Sequence, residues 1–240
     1  MRKIVLFVLV LVLATFFLSA DYYIKTTVHT DPFTMMGQAQ PAKDEVNEQW
    51  FSKDKLANIA GGRSVILDMG KKMMYIVNHK DKNYVETPLP LDMSKVVPAE
   101  AQSMMGMMKV TVKVAPNGQT KKIGQWNCSG YDVDMNMMMM QMKMKVWSTT
   151  EVPFDWKAFS DMYTNVSKMQ FMDEASIKEF MKIKGFQISS QTTGEMMGAK
   201  LNVNSTITEI SQKTAPAGIY SIPAGYTKQS TLSMQDLQGR

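Results

Sequence analysis

Apolar and polar side chains alternate along much of this chain of 240 residues, and an alternation of period two is the spacing of a β-strand. The segment Tyr22–Thr30 shows it with aromatic and β-branched residues, which fit a strand that has one buried face. Four apolar residues separated by lysine and threonine repeat the pattern: Met108, Val110, Val112 and Val114. Such segments predict antiparallel strands, each with one face in a core and the other in water.

Turns that contain Gly, Pro or Asn separate further short apolar runs, which predict more strands. These predicted strands cover residues 46–52, 63–69, 71–78, 84–86, 122–128, 186–193 and 200–210. The turn Pro116-Asn117-Gly118 is predicted to form a hairpin, and Ile219–Tyr226 is predicted to be a short edge segment. Between residues 131 and 149 the apolar side chains change parity, so we expect a hairpin or a bulge within Asn136–Met139.

Helices are predicted in two places after Pro153 and in one short segment, residues 99–105. Asp155 is a good helix cap, and four apolar residues follow it at helical spacing: Trp156, Phe159, Tyr163 and Val166. The second helix is predicted to begin near Asp173 and to stop at Gly185. The fold class is therefore α+β and mostly antiparallel β.

A positively charged start, an unbroken apolar run and a small residue at a cleavage point make up residues 1–20. Arg2 and Lys3 precede the run Ile4–Leu13, and we expect a signal peptide that is cleaved after Ala20. The mature protein would then be periplasmic or secreted. It would have a single domain over residues 21–228 and a polar tail over 229–240. We expect no transmembrane segment in it, since no other run is apolar enough to cross a bilayer.

The charged and reactive residues argue against two large classes of function. Removal of Arg2 and Lys3 lowers the formal net charge from +5 to 5 − 2 = +3, and no basic stripe of the kind that binds nucleic acid is present. The chain has two histidines, His29 and His79, and one cysteine, Cys128, and it lacks the common catalytic motifs. We therefore expect a binding protein and not an enzyme.

Methionine is the unusual component, with 25 residues that gather in clusters, the densest at Met135–Met144. Three interpretations are open. The thioethers could fill an ordinary core, or they could form an adaptable apolar surface that repacks around a ligand. They could also bind a soft metal ion such as Cu(I) or Ag(I). Alternate residues of one strand lie about 6.5–7 Å apart, too far to share one ion without a neighbouring strand.

Several short motifs resemble an uncharacterised family of exported bacterial proteins that is similar in architecture to the periplasmic lipoprotein carriers. They are Tyr22-Tyr23-Ile24-Lys25, the loop with Gly37 and Pro41-Ala42, Tyr75-Ile76-Val77-Asn78, Lys82-Asn83-Tyr84, Ile123-Gly124, Cys128, Tyr131, Val146-Trp147 and Ile222-Pro223-Ala224-Gly225-Tyr226. The resemblance implies a strongly curved, unclosed half-barrel sheet with helices that cap its concave face. In that superfamily the enclosed apolar space receives acyl chains.

The resulting hypothesis is an exported protein that holds an acyl chain or another apolar ligand between a curved sheet and helices. The residues expected to line the site are Val110, Val112, Met138, Met140, Met142, Met144, Trp156, Phe159 and Tyr163. No cofactor is expected in this interpretation. The alternative is a Cu(I)-binding or Ag(I)-binding envelope protein that uses Met138, Met140, Met142 and Met144. A third possibility is a scaffold domain whose partner is another envelope protein.

Overall fold

The computed structural model describes residues 21–35, 37–89, 96–98, 110–137, 140–160, 174–196 and 198–233. The strands are β1 (Asp21–Thr30), β2 (Phe33–Met35), β3 (Gln38–Gln40), β4 (Lys43–Phe51), β5 (Lys55–Ala60), β6 (Arg63–Asp68), β7 (Met73–Asn78), β8 (Asn83–Pro88), β9 (Val110–Ile123), β10 (Trp126–Met137), β11 (Met140–Thr149), β12 (Phe186–Met196), β13 (Ala199–Lys213) and β14 (Thr227–Gln229). Helix α1 covers Glu174–Phe180, and residues 156–160 are also helical.

Twelve of these strands form one unclosed, curved sheet in the order β14-β8-β7-β6-β5-β4-β1-β13-β12-β11-β10-β9, and β2 and β3 pair separately. All neighbours in the large sheet are antiparallel except β14, which runs parallel to β8. The sheet consists of two meanders, β4–β8 and β9–β13, and β1 joins them by pairing with β4 and with β13. The prediction of a mostly antiparallel fold with a large unclosed sheet is confirmed.

The hairpin predicted within Asn136–Met139 is confirmed, since Met137 and Met140 are register partners at the ends of β10 and β11. The hairpin predicted at Pro116-Asn117-Gly118 is wrong, because β9 continues past it to Ile123. Residues 117–119 leave the ladder as a bulge, and pairing with β10 resumes at Thr120. The side chain of Asn117 closes this bulge by accepting a hydrogen bond from the N–H of Gln119 and donating one to Asp132.

Strand β5 is absent from the sequence predictions although it pairs antiparallel with both β4 and β6. It is short, and its apolar residues do not alternate cleanly. The signal that identifies it is Gly61-Gly62, which joins β5 to β6 as a two-residue loop with φ of +55° and +79°. Positive φ at both positions is the conformation that tight hairpins require, and a pair of glycines supplies it without strain.

The sheet buries apolar residues on both of its faces. In β1, Ile24 belongs to a large core with Phe51, while the adjacent Tyr23 packs with Trp50 on the opposite face. The chain from Ala215 to Tyr226 packs against this second face. The prediction that Ile219–Tyr226 forms an edge segment is wrong, since the segment consists of turns and bends and the strands at the two edges of the sheet are β14 and β9. Pro223 interrupts it, and proline cannot donate to a ladder.

The predicted starts of the two helices after Pro153 are confirmed. Asp155 caps the helical residues 156–160, because its carboxylate accepts hydrogen bonds from the N–H groups of Lys157 and Ala158 at 2.9 and 3.1 Å. Helix α1 begins one residue after the predicted start at Asp173, but it ends at Phe180, and the stop predicted at Gly185 is wrong. The predicted helix at 99–105 lies outside the described residues.

Candidate functional site

A cavity of about 510 Å³ lies between strands of the large sheet and the two helical segments. Its strand wall consists of residues from β1, β4, β5, β12 and β13, and its other wall consists of residues 156–160, helix α1 and the chain that follows α1. The volume falls within the range of small-molecule sites, which is about 300–1,000 Å³. Met181, which is 58% exposed, also lines the cavity and therefore lies at its opening.

The greater part of the cavity wall is apolar. Ile24 and Ile207 contribute from adjacent strands, and the facing wall has aromatic and aliphatic residues. The facing residues are Trp156, Phe159, Ile177, Phe180 and Ile183, with Phe186 where β12 begins. A ligand that buries hydrocarbon against such a wall gains about 25 cal/mol for each Å² removed from water.

Aromatic rings pack closely where the cavity meets the main core. The ring of Phe159 lies 5.0 Å from that of Phe51 and 5.0 Å from that of Phe186, measured between centroids. Phe51 in turn stacks on Tyr22 at 5.1 Å, and the Tyr22 hydroxyl donates to the C=O of Pro153 at 2.7 Å. These contacts hold Phe159 and Phe186 in place, so this part of the wall is formed before any ligand arrives.

Three amide side chains form a polar strip on the strand wall: Asn47, Gln49 and Asn58. Gln49 and Asn58 are register partners on β4 and β5, and Asn47 is two residues from Gln49 on the same face of β4. Thr26, the register partner of Asn47, also lines the cavity. Amides and hydroxyls both donate and accept hydrogen bonds, so this strip can contact the polar end of an otherwise apolar ligand.

Helix α1 is attached to the sheet by hydrogen bonds from its polar face. Ser176 donates to the C=O of Val110 at 3.1 Å, and Glu179 accepts from the N–H of Val114 at 2.9 Å. The pKa of Glu179 is held below its usual value, first by the Lys182 ammonium and then by the Val114 N–H. These bonds place Ile177 and Phe180 over the cavity.

The chain after α1 is held to the end of β11. Ser148 donates to the C=O of Lys184 at 2.7 Å, and the N–H of Lys184 donates to the Tyr131 hydroxyl at 3.2 Å. Gly185 comes next, with φ of +91°, and a Cβ placed there would lie only 2.3 Å from the C=O oxygen of Thr149. The positive φ and the lack of space for a Cβ atom both require glycine at this position. The next residue, Phe186, lines the cavity.

The residues predicted to line a ligand site separate into three groups. Trp156 and Phe159 line the cavity. Met138 and Tyr163 lie outside the described residues. The remaining five lie on the β9-β10-β11 part of the sheet: Val110, Val112, Met140, Met142 and Met144. Of these, Val112 is in a separate buried cluster, and Val110 and Met144 pack against that cluster together with Phe180 of α1.

Sequence reasoning missed most of the strand wall, namely Ile24, Thr26, Asn47, Gln49, Asn58 and Ile207. The alternation in β1 does place Ile24 and Thr26 on one face. What it does not reveal is which distant strands lie beside β1. Asn47 and Gln49 are two residues apart, the spacing of residues on one face of a strand. Amide side chains on a predicted strand are usually assigned to its solvent face, so these two were not predicted to line a site.

The two histidines have hydrogen-bond partners, and the cysteine is buried. His79 contacts the hydroxyls of Ser64 at 2.6 Å and Tyr226 at 3.0 Å. His29 lies between Asp44 and Asp31, and the hydrogen bond to Asp44 is the main cause of its raised pKa. Cys128 is buried, and burial raises the pKa of its thiol. Among the described residues, no three His, Cys, Asp or Glu side chains come together as metal ligands.

Within the described ranges, every helix is too short or too polar to span a lipid bilayer.

The comparison with protein-family models identifies a family for this chain. A comparison with curated proteins finds no match to the chain. The family model described as a domain of unknown function, DUF4412, matches residues 46–226. This match begins within β4 and ends with the segment that packs on the second face of the sheet, so it covers most of the chain. The protein belongs to the DUF4412 family.

Proposed function

We propose that this protein is an exported binding protein that holds an acyl chain or a similar apolar ligand in the cavity between the curved sheet and the helical segments. The cavity of about 510 Å³ with its largely apolar wall is the observation that carries the proposal. In this proposal residues 156–160 and α1 cap the concave face of the sheet, as in the lipoprotein carriers that the sequence motifs resemble. Binding, and not catalysis, is the function of the site.

The strand wall has an apolar part and a polar strip, and this difference gives the ligand an orientation. Hydrocarbon would lie against Ile24, Ile207 and Phe180, and a polar end would contact the amides of Asn47 and Asn58. Hydrogen bonds to such a strip contribute about 1 kcal/mol each, so they select the orientation more than they supply the affinity. Apolar burial supplies the affinity.

Export is the second part of the proposal. The charged start, apolar run and Ala20 of residues 1–20 match a cleavable signal peptide. In the periplasm an apolar ligand would be an envelope lipid or part of one. An envelope protein could deliver this ligand or receive it. Cell fractionation and mass determination of the mature chain test this part. A mature protein that starts at Asp21 in the periplasmic fraction supports it, and an uncleaved cytoplasmic protein contradicts it.

Ligand binding is tested with the mature chain and a defined probe. We expect a fluorescent fatty acid such as parinaric acid to bind, oleate to displace it, and native mass spectrometry to record one bound molecule. Trp156 lines the cavity, so its emission should change on binding, and Trp156→Phe should remove most of that change. A protein that binds neither probe at micromolar concentration contradicts the proposal.

Two adjacent residues of β1 provide a matched pair of variants. Thr26 lines the cavity, whereas Thr27 is exposed on the opposite face of the strand. Thr26→Phe adds a ring to the cavity and should weaken probe binding by about tenfold, a cost of about 1.4 kcal/mol. Thr27→Phe adds the same ring outside the cavity and should leave binding unchanged. Equal effects of the two variants would place the ligand elsewhere.

A further inference from the structure

The hairpin of β10 and β11 brings methionine side chains of two strands to one face of the sheet. Met135 and Met142 are register partners, and Met144 is the partner of Val133, one position along the same face. Met140 is two residues from Met142 on β11 and therefore shares this face. Methionines on a single strand are too far apart for their sulfur atoms to share one ion. The antiparallel pairing of β10 with β11 adds a methionine from the second strand.

The distances of an antiparallel pair suit a shared ligand. Side chains of directly opposed residues have Cβ atoms about 4.5–5.5 Å apart, and diagonal neighbours lie about 7–8 Å apart. The sulfur of methionine lies beyond Cγ on a chain with three rotatable bonds, so it can move several ångströms without any shift of the backbone. Three thioethers of this group can therefore converge on one ion.

The surroundings of the methionines do not repel a cation. Met135, Met140, Met142 and Met144 are all half-buried, so they are neither sealed in the core nor fully exposed. The charged side chains of the hairpin project from its opposite face, where Asp132 pairs with Lys145 and Asp134 with Lys143 in the register. These four charges cancel, so the hairpin itself adds no net repulsion against a cation.

The neighbouring strand β12 leaves space for one of the thioethers. Gly194 is the register partner of Met142, and a Cβ placed on Gly194 would lie 2.9 Å from Cγ of Met142. The absence of a side chain at this position lets Met142 lie over the strand. Met135 and Met144 pack against the cluster that contains Val133, which fixes the other side of the group.

We propose that Met135 and Met142, together with Met140 or Met144, form a three-thioether site for Cu(I), separate from the cavity and independent of the proposed lipid function. Soft thioether sulfur selects Cu(I) over the harder divalent ions. Ag(I), which has the same charge and is also soft, should bind at the same residues.

The test is an anaerobic titration of the mature protein with Cu(I) against a chromophoric Cu(I) chelator. We expect one ion per chain, and X-ray absorption should show a first shell of sulfur. The double variant Met135→Leu with Met142→Leu should bind Cu(I) roughly a hundredfold more weakly, because two donors are lost. Exchanges between Leu and Met usually cost less than about 1.5 kcal/mol, so the variant should remain folded.

A matched control replaces two half-buried methionines elsewhere in the chain, Met35→Leu with Met73→Leu, and should bind Cu(I) as the parent protein does. Equal affinity of the parent and the Met135/Met142 variant would overturn the proposal, as would equal losses in both double variants. Probe binding in the cavity should be the same in all of these proteins. A failed Cu(I) site is therefore distinguishable from a failed lipid site.

Discussion

The carboxylate of Glu179 on helix α1 accepts a hydrogen bond at 2.9 Å from the backbone N–H of Val114 on the edge strand β9. On the same edge, the C=O of Val110 accepts from the Ser176 hydroxyl. Unpaired groups on an edge strand invite pairing with another chain, and native proteins often cover them. Helix α1 thus satisfies two groups of the edge strand with its polar residues and lines the cavity with its apolar residues, so attachment of the helix and shape of the cavity are linked.

Replacement of Glu179 by Ala should release the N–H of Val114. We expect the Val114 amide to exchange with solvent about tenfold faster, because its acceptor is lost and the helix above it opens more often. Hydrogen exchange followed by NMR measures this directly. Glu179→Gln keeps an oxygen acceptor at the same position and should retain most of the protection. If the Ala variant exchanges at the parent rate, the bond does not hold the edge.

The same contact predicts an acid-sensitive attachment of α1. The pKa of Glu179 is lowered from its ordinary value of 4.5, chiefly by Lys182 and also by Val114. A carboxyl whose pKa is lower in the folded protein stabilises the fold fully above its unfolded pKa, and this stabilisation is lost as the pH falls through the folded pKa. Protection of the Val114 amide should therefore be constant above about pH 5.5 and decline below pH 4.5 to the level of Glu179→Gln, because a protonated carboxyl, like an amide, is a neutral acceptor. In Glu179→Gln the protection should not change over this interval, and a parallel fall there would assign the effect to another group.

Gly185 should be the most sensitive glycine near the cavity. An Ala at this position has a positive φ and a Cβ 2.3 Å from the backbone oxygen of Thr149, so we expect Gly185→Ala to destabilise the protein by about 3 kcal/mol. Gly198→Ala has a positive φ but nothing within 4 Å of the added carbon, and it should cost about 1 kcal/mol. Urea unfolding of the two variants measures the difference. Equal losses would show that only the backbone conformation matters.

His79 joins the C-terminal segment to the sheet by bonding both Ser64 and Tyr226. Ser64 is buried, so His79→Leu leaves its hydroxyl without this partner, and we expect a loss of about 2 kcal/mol. Tyr226→Phe removes one bond near the surface and should cost about 1 kcal/mol. Urea unfolding of the single and double variants forms a cycle, in which we expect a coupling energy of about 1 kcal/mol. Additive losses would contradict a direct bond between His79 and Tyr226.

The sequence predicted local structure well where one physical rule acts over neighbouring residues. Alternation identified β1 and most of the meanders, Asp155 identified a helix start, and the parity change identified the hairpin that ends at Met137 and Met140. The prediction from sequence was wrong at Pro116-Asn117-Gly118, because these residues have the composition of a turn. There the Asn117 side chain closes a bulge, and the strand pairing on either side continues.

The alternation of apolar and polar side chains in the sequence was sufficient to determine that the chain folds mostly as antiparallel strands. This alternation depends on adjacent residues alone. Tertiary structure decided which strands meet. Ile24, Gln49, Asn58 and Ile207 surround one cavity only because β1 pairs with both β4 and β13. Met135 likewise meets Met142 through the register of two strands. The cavity depends on contacts between residues far apart in the chain, which a local pattern does not specify, and the methionine group depends on the exact register of one hairpin.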